Sequence, residues 1–327
     1  MINRLTRRSV LRTTGAAIVA TRIRPATAQT PSPAFSYPLA MPGRAPGDGF
    51  VIRHGYATEN TWYLPGYWHT GEDWYAIEGD TAGAAVLAVS SGEVVFAGYD
   101  YPGPVVIVRH AEDLYSMYGH LDDDLQIGVG SKVERGQILG TVLPRTDGRA
   151  PSHLHFEIRS FLTTPEVNGD APRYGFACGF HCPPGPGYWP IADPDHPSDL
   201  GWRNPTHTLA HRAFSVGSIP PGTEVAVAGT PPSAIDVWSA PMSDSGAERL
   251  ATLTVRPGER LPLIAVRVGA EDSRGTSAEA YELWYQVELP DNLTGWIQAA
   301  VPSTSDTGAD GRPSGVRFTL YPLVSAK

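Results

Sequence analysis

The chain has 327 residues, 34 acidic against 25 basic, and a formal charge of −9. That length accommodates two domains and a sizeable core, and no apolar run is long enough to cross a bilayer as a mature helix. The acidic balance makes nucleic acid and anionic membrane surfaces poor partners, while 35 glycines and 31 prolines favour turns and short strands over long helices.

Residues 1–28 read as an export signal. Thr6-Arg7-Arg8-Ser9-Val10-Leu11 is a twin-arginine pattern, residues 15–20 form a short, mildly apolar core, and Ala26-Thr27-Ala28 is an A-x-A cleavage site. Arg22 and Arg24 interrupt the apolar stretch. Three features in the right order still outweigh the alternative of a basic cytosolic tail. Removing this segment takes away six arginines and no acid, so the mature chain carries −15. Residues 29–47, rich in Pro, Ala and Ser, are expected to form an exposed linker.

From residue 48 to about 160 the pattern is β. Runs at 86–89, 93–97, 105–110 and 115–120 are rich in β-branched or aromatic residues, and Gly92, Gly98, Pro102-Gly103, Gly128 and Gly130 punctuate them. An all-β, antiparallel sheet with a groove across one face is expected. Within this region lie His69-Thr70-Gly71-Glu72-Asp73, Tyr118-Gly119-His120-Leu121 and His153-Leu154-His155. Zinc takes imidazole nitrogens and carboxylate oxygens, and a catalytic site keeps one position open. Residues two or four apart in an extended strand point the same way. His69 and Asp73 are therefore expected to face one metal together with one of His153 and His155. The chain has no H-E-x-x-H, so Glu72 is not a helix-borne base and should point away from the ligands. Glu157 shares the parity of His153 and His155. It fits a role orienting an imidazole or, equally, that of a plain sheet-face carboxylate.

Residues 163–221 are irregular and are expected to pack on the first domain, completing a unit at 48–221. Their histidines (His181, His196, His207, His211) repeat no ligand spacing, so surface or loop-packing roles are expected. Cys178 and Cys182 are the two cysteines. Oxidising surroundings favour a short-loop disulfide, with a metal site through His181 or free thiols as alternatives. A second β pattern fills 222–302, and a C-terminal tail is expected over 303–327, polar, Gly-rich and flexible over 303–314.

From about residue 52 to 159, about a third of the chain, the sequence resembles the lysostaphin-type (LytM-like) zinc endopeptidases of bacterial cell walls. The resemblance runs in order through HTGED at 69–73, AVLAVSSGEVVFAG at 85–98, VVIVRH at 105–110, MYGHL at 117–121, VGSKVERGQILG at 129–140 and SHLHFEIR at 152–159. It implies Zn2+ held by His69, Asp73 and His155. His120 and His153 would stand beside the metal as base and oxyanion donor, in an order the sequence leaves open. The implied substrate is the peptide of peptidoglycan, cut at glycyl-glycine bridges or at D-alanyl bonds to a diamino acid. The implied location is periplasmic, wall-associated or extracellular, and a monomer is expected.

Residues 222–302 are similar to bacterial SH3-like wall-binding modules, although Trp238 and Ala240 stand where Arg and Gly are usual. The alternative is an unrelated small β-barrel with Trp284 and Trp296 in its core. Two other functions compete. A non-catalytic wall-binding regulator typically lacks the metal ligands that this chain retains, and a phosphotransfer module is cytosolic, against the export signal. Changing Arg7 and Arg8 together to lysine is expected to strand the protein in the cytoplasm, assayed by cell fractionation; normal export would point to the general secretory route.

Overall fold

The computed structural model describes residues 35–60, 64–101, 103–146, 148, 150–175, 182–213, 219, 222–226, 234–256, 259–273, 282–289, 292–302 and 316–318. The export signal at 1–28, Cys178, His181 and most of the tail lie outside the described residues. No helix among the described residues is long and apolar enough to cross a membrane.

Antiparallel strands dominate. The longest hairpin joins Gly92–Tyr101 to Gly103–Ala111, both rich in Val and aromatic residues suited to a pleated surface. It lies in a sheet whose order is Lys132–Val133, Gly92–Tyr101, Gly103–Ala111, Leu114–Gly119, Leu154–Arg159, Glu72–Ala76, Phe50–His54, Val316–Phe318 and Ala300–Pro302. Trp202–Arg203 also pairs with Leu154–Arg159. A small sheet of Leu39–Ala40, Ala85–Leu87 and Ile138–Thr141 flanks it, and another joins Tyr188–Pro190, Leu64–His69 and Glu59–Asn60.

The central strand Leu154–Arg159 explains where the site sits. Its side chains alternate. Leu154, Phe156 and Ile158 enter the apolar core, whereas His155, Glu157 and Arg159 face the other way and are equally buried. The residues around 183–203, read as irregular from sequence, build the layer that covers this polar face. Arg159 donates to the carbonyls of Pro183 and Pro184 at 2.7 and 2.9 Å, and Trp189 and Trp202 are fully buried. Cys182 in the same stretch is buried and disulfide-bonded.

A helix, Pro205–Ala213, follows directly. The Asn204 side chain accepts from the His207 amide at 3.1 Å, with Pro205 at the first helical position, a favoured start for a helix. Two other expectations are corrected. Phe35, Tyr37 and Leu39 are buried rather than part of an exposed linker, because apolar side chains in a Pro/Ala/Ser background still seek the core. Residues 316–318 are not a loose tail: they pair with both Phe50–His54 and Ala300–Pro302.

The second β region forms a six-stranded antiparallel sheet, in the order Glu224–Ala226, Arg260–Val268, Leu283–Glu288, Thr294–Gln298, Ile235–Trp238 and Arg249–Leu253. Trp284 and Tyr285 are in its core, whereas Trp238 and Trp296 sit opposite each other and are only partly buried.

Gly71 is required for close approach between strands. A Cβ there would stand 2.5 Å from the Phe156 carbonyl oxygen and 2.9 Å from Glu157 Cγ. Gly71→Ala is expected to lower stability by about 1–3 kcal/mol, as overpacking does, measured by urea denaturation.

Candidate metal centre

Three neighbouring strands each deliver a polar side chain to one place, and a fourth ends beside it. His155 lies opposite Asp73 in one pairing and opposite Gly119 in the other, one residue before His120. His54 lies opposite Asp73 on the remaining side. His69 arrives by another route. It ends the strand Leu64–His69, and the chain turns at Thr70 and Gly71 before Glu72–Ala76 begins. His69 and Asp73 therefore meet across a turn, not along one extended strand as the sequence spacing suggested.

His69 Nε2 is 3.0 Å from His155 Nδ1 and 3.3 Å from Asp73 Oδ1, and His155 Nδ1 is 3.2 Å from the same oxygen. Three donors at the corners of such a triangle fit one ion. Zinc bonds of 2.0–2.1 Å in a tetrahedron put ligand atoms roughly 3.3–3.4 Å apart. All three residues are buried, and two imidazoles with one carboxylate form a donor set zinc accepts. His54 also brings a nitrogen close, so that His54, His69 and Asp73 lie within 4.8 Å of one another. Its ring stacks on that of His69 at 4.0 Å and 7°. Ring lone pairs lie in the ring plane, and two parallel planes cannot share one ion. His54 Nδ1 instead sits 3.5 Å from the outer oxygen of Asp73. We therefore favour His155 over His54 as the third donor. Sequence reasoning passed over His54; its signal was its place at the end of the 50–54 run, beside the strand of Asp73.

The two remaining histidines flank this triangle. His153 Nδ1 is 2.9 Å from the Pro151 carbonyl and must donate to it. That fixes the tautomer and leaves a lone pair on Nε2, 3.9 Å from Asp73 Oδ1. His120 lies edge-on to His153 with ring centroids 4.7 Å apart. Its φ of 63° is left-handed, uncommon for a residue with a side chain. Its own carbonyl accepts from the Leu143 amide and the next amide, of Leu121, donates to Pro104, which holds the turn.

The protonation pattern follows from burial and partners. Burial pushes His69 down to about 4, against the pull of Asp73. Burial lowers His153 as well. For His155 burial acts downward, but the hydrogen bonds and charges of Asp73 and Glu157 prevail and raise it to about 9. Asp73 is held well below the usual carboxylate range; burial opposes this, and the surrounding histidines overcome it.

Glu157 is fully buried and accepts from His155 Nε2 at 3.1 Å and Thr70 Oγ1 at 2.6 Å. Of its two readings from sequence, the geometry supports the one that orients an imidazole. Glu72 turns to the opposite face, as expected, where it accepts from Thr206 and Trp74. His207 and His211 reach the carbonyls of Ala270 and Gly269, and His196 meets Ser198. These are packing roles rather than metal binding.

Residues 67–169 match Peptidase family M23. The matched stretch contains His69, Asp73, His120, His153 and His155; His54 lies before it. No curated protein matches the chain. Among solved structures, the antimicrobial peptidase lysostaphin from Staphylococcus simulans is similar at 15% identity, over 84% of this chain and 95% of that one, with a TM-score of 0.34. The catalytic domain of the prophage-encoded M23 protein EnpA from Enterococcus faecalis is 30% identical over 35% of this chain and 83% of that one, TM-score 0.29. A zinc-containing peptidase from Vibrio cholerae is 27% identical over 38% and 36%, TM-score 0.28.

A ligand nitrogen must shed its proton to bind metal, and the hydrogen bonds and charges of Asp73 and Glu157 favour the protonated form of metal-free His155. Zinc binding is expected to release about one proton per chain at pH 7, with affinity rising with pH and the release fading above about 9. Calorimetry in buffers of different ionisation enthalpy measures this; no release at pH 7 would contradict it.

Proposed function

We propose that this chain is a zinc-dependent endopeptidase that hydrolyses peptide cross-links of peptidoglycan. The observation that carries this reading is the donor triangle of His69 Nε2, Asp73 Oδ1 and His155 Nδ1, with sides of 3.0–3.3 Å, inside a stretch that matches a peptidase family. These three residues would hold the zinc. When bound, zinc supplies a Lewis acid for the scissile carbonyl and makes water easier to deprotonate.

The chain's own residues handle the protons. His153 is kept neutral by burial, and its tautomer leaves Nε2 free to accept. We take it as the base. His120, partly exposed and edge-on to His153, is placed to donate to the oxyanion that develops on the carbonyl. His54 and Glu157 orient Asp73 and His155 from behind.

The second domain is read as an SH3-like module that holds the enzyme on the wall and raises local substrate concentration. Trp238 and Trp296 are its best ligand-facing candidates, because aromatic surfaces offer large contact area at little entropy cost. Export by the twin-arginine route and action as a monomer outside the cytoplasm complete the reading.

The test uses the mature, full-length protein, elemental analysis and purified peptidoglycan, with products identified by mass spectrometry. The wild type is expected to carry one zinc and release cleaved muropeptides. Asp73→Ala should lose the metal. His120→Asn, which tolerates the left-handed backbone, should keep metal and fold while kcat/KM falls about 10²–10⁴-fold. Full zinc occupancy in Asp73→Ala, or intact peptidoglycan after treatment with zinc-loaded wild type, would sink the reading.

A further inference from the structure

The metal ligands have buried carboxylates beside them, and each of these takes a partner from one segment beyond the stretch that matches the peptidase family. Glu157 Oε1 serves His155 and Thr70, and its second oxygen accepts from Trp202 Nε1 at 3.0 Å. Glu72, next in the chain to Asp73, accepts from the Thr206 amide and hydroxyl at 3.0 and 2.6 Å. Trp202, Thr206, Glu72 and Glu157 are all buried. A carboxylate held at only one oxygen can rotate. One held at both presents a fixed acceptor to the imidazole.

The other side of this segment carries the second domain. The Asn204 amide donates to the Glu271 carbonyl at 2.7 Å, and His207 and His211 donate to those of Ala270 and Gly269 at 2.9 Å. Arg212 lies 3.5 Å from the Glu271 carboxylate.

We propose that Trp202 and Thr206 are positioning residues of the metal centre. Trp202 acts through Glu157 on His155, Thr206 acts through Glu72 on the strand of Asp73, and both are set by a segment on which the second domain is seated. The proposal rests on the zinc reading above. It makes the second domain part of the scaffold of the metal centre as well as a binding module.

The experiment measures zinc affinity of the full-length chain by competition with a chromophoric chelator, alongside thermal unfolding of the metal-free protein. Trp202→Phe keeps an aromatic ring and removes the N–H. Zinc affinity is expected to fall about 10–100-fold, the usual effect of losing an outer partner of a ligand. In a Glu157→Gln background the same change should add little, since both act on one path. Thr206→Val should weaken zinc less, because the backbone amide still reaches Glu72, and it provides the readout if Trp202→Phe does not fold. Zinc affinity within twofold of wild type in the folded variants would overturn the proposal. So would a Trp202→Phe effect of full size in the Glu157→Gln background. A wild-type chain that binds no zinc would overturn the reading of the site itself, and this proposal with it.

Discussion

Asp73 is a carboxylate with 6% of its surface exposed, and the architecture around it answers the problem of keeping it charged. An unpaired buried carboxylate costs several kcal/mol. Four imidazoles stand within 3.9 Å of its oxygens: His155, His69, His54 and His153. His69 reaches Asp73 across a local turn, and His153 and His155 share one short stretch, but these stretches and that of His54 are separate in the chain. The register of neighbouring strands, with His155 and His54 each opposite Asp73, brings them to one point.

The same problem recurs one layer out, and the solution has the same form. Glu157 and Glu72 are fully buried, and each finds donors on both of its oxygens. Glu157 also lies 3.7 Å from Arg159, which in turn is held by two carbonyls of the covering loop. The polar face of the central strand is thus dry but satisfied, as a buried network must be if it is to specify one arrangement. Removing a single donor from it leaves a charge in a medium that cannot solvate it.

Much of the site was legible in the sequence because its motifs are short. H-x-x-x-D and H-x-H place two residues each within one local stretch, and the parity of a strand puts Glu157 on the side of His155. The geometric reason inferred for His69 and Asp73 was nevertheless wrong: a turn through Gly71, not an extended strand, brings them together. His54, Trp202 and Thr206 were not legible. Their contacts with the site span 19 to 134 residues of sequence, and nothing local marks a tryptophan as the partner of a distant glutamate. The helix Pro205–Ala213 did carry a local mark, Asn204-Pro205, but its weak amphipathic pattern hid it within a Pro- and His-rich stretch. Phe35, Tyr37 and Leu39 were masked by composition in the same way. An average over Pro, Ala and Ser says little about three apolar side chains that find a core.

The pairing of Val316–Phe318 with Phe50–His54 bears on the order of folding. The strand that carries His54 borders Glu72–Ala76 on one side, and its other edge is closed by residues made some 260 positions later. Until those residues emerge from the ribosome, that edge presents unpaired backbone groups and can recruit another strand. Contacts of such sequence separation form late and slowly. The nascent chain therefore passes through a long interval in which the border of this sheet is open, and the edge must be shielded until residues 316–318 have been made and paired.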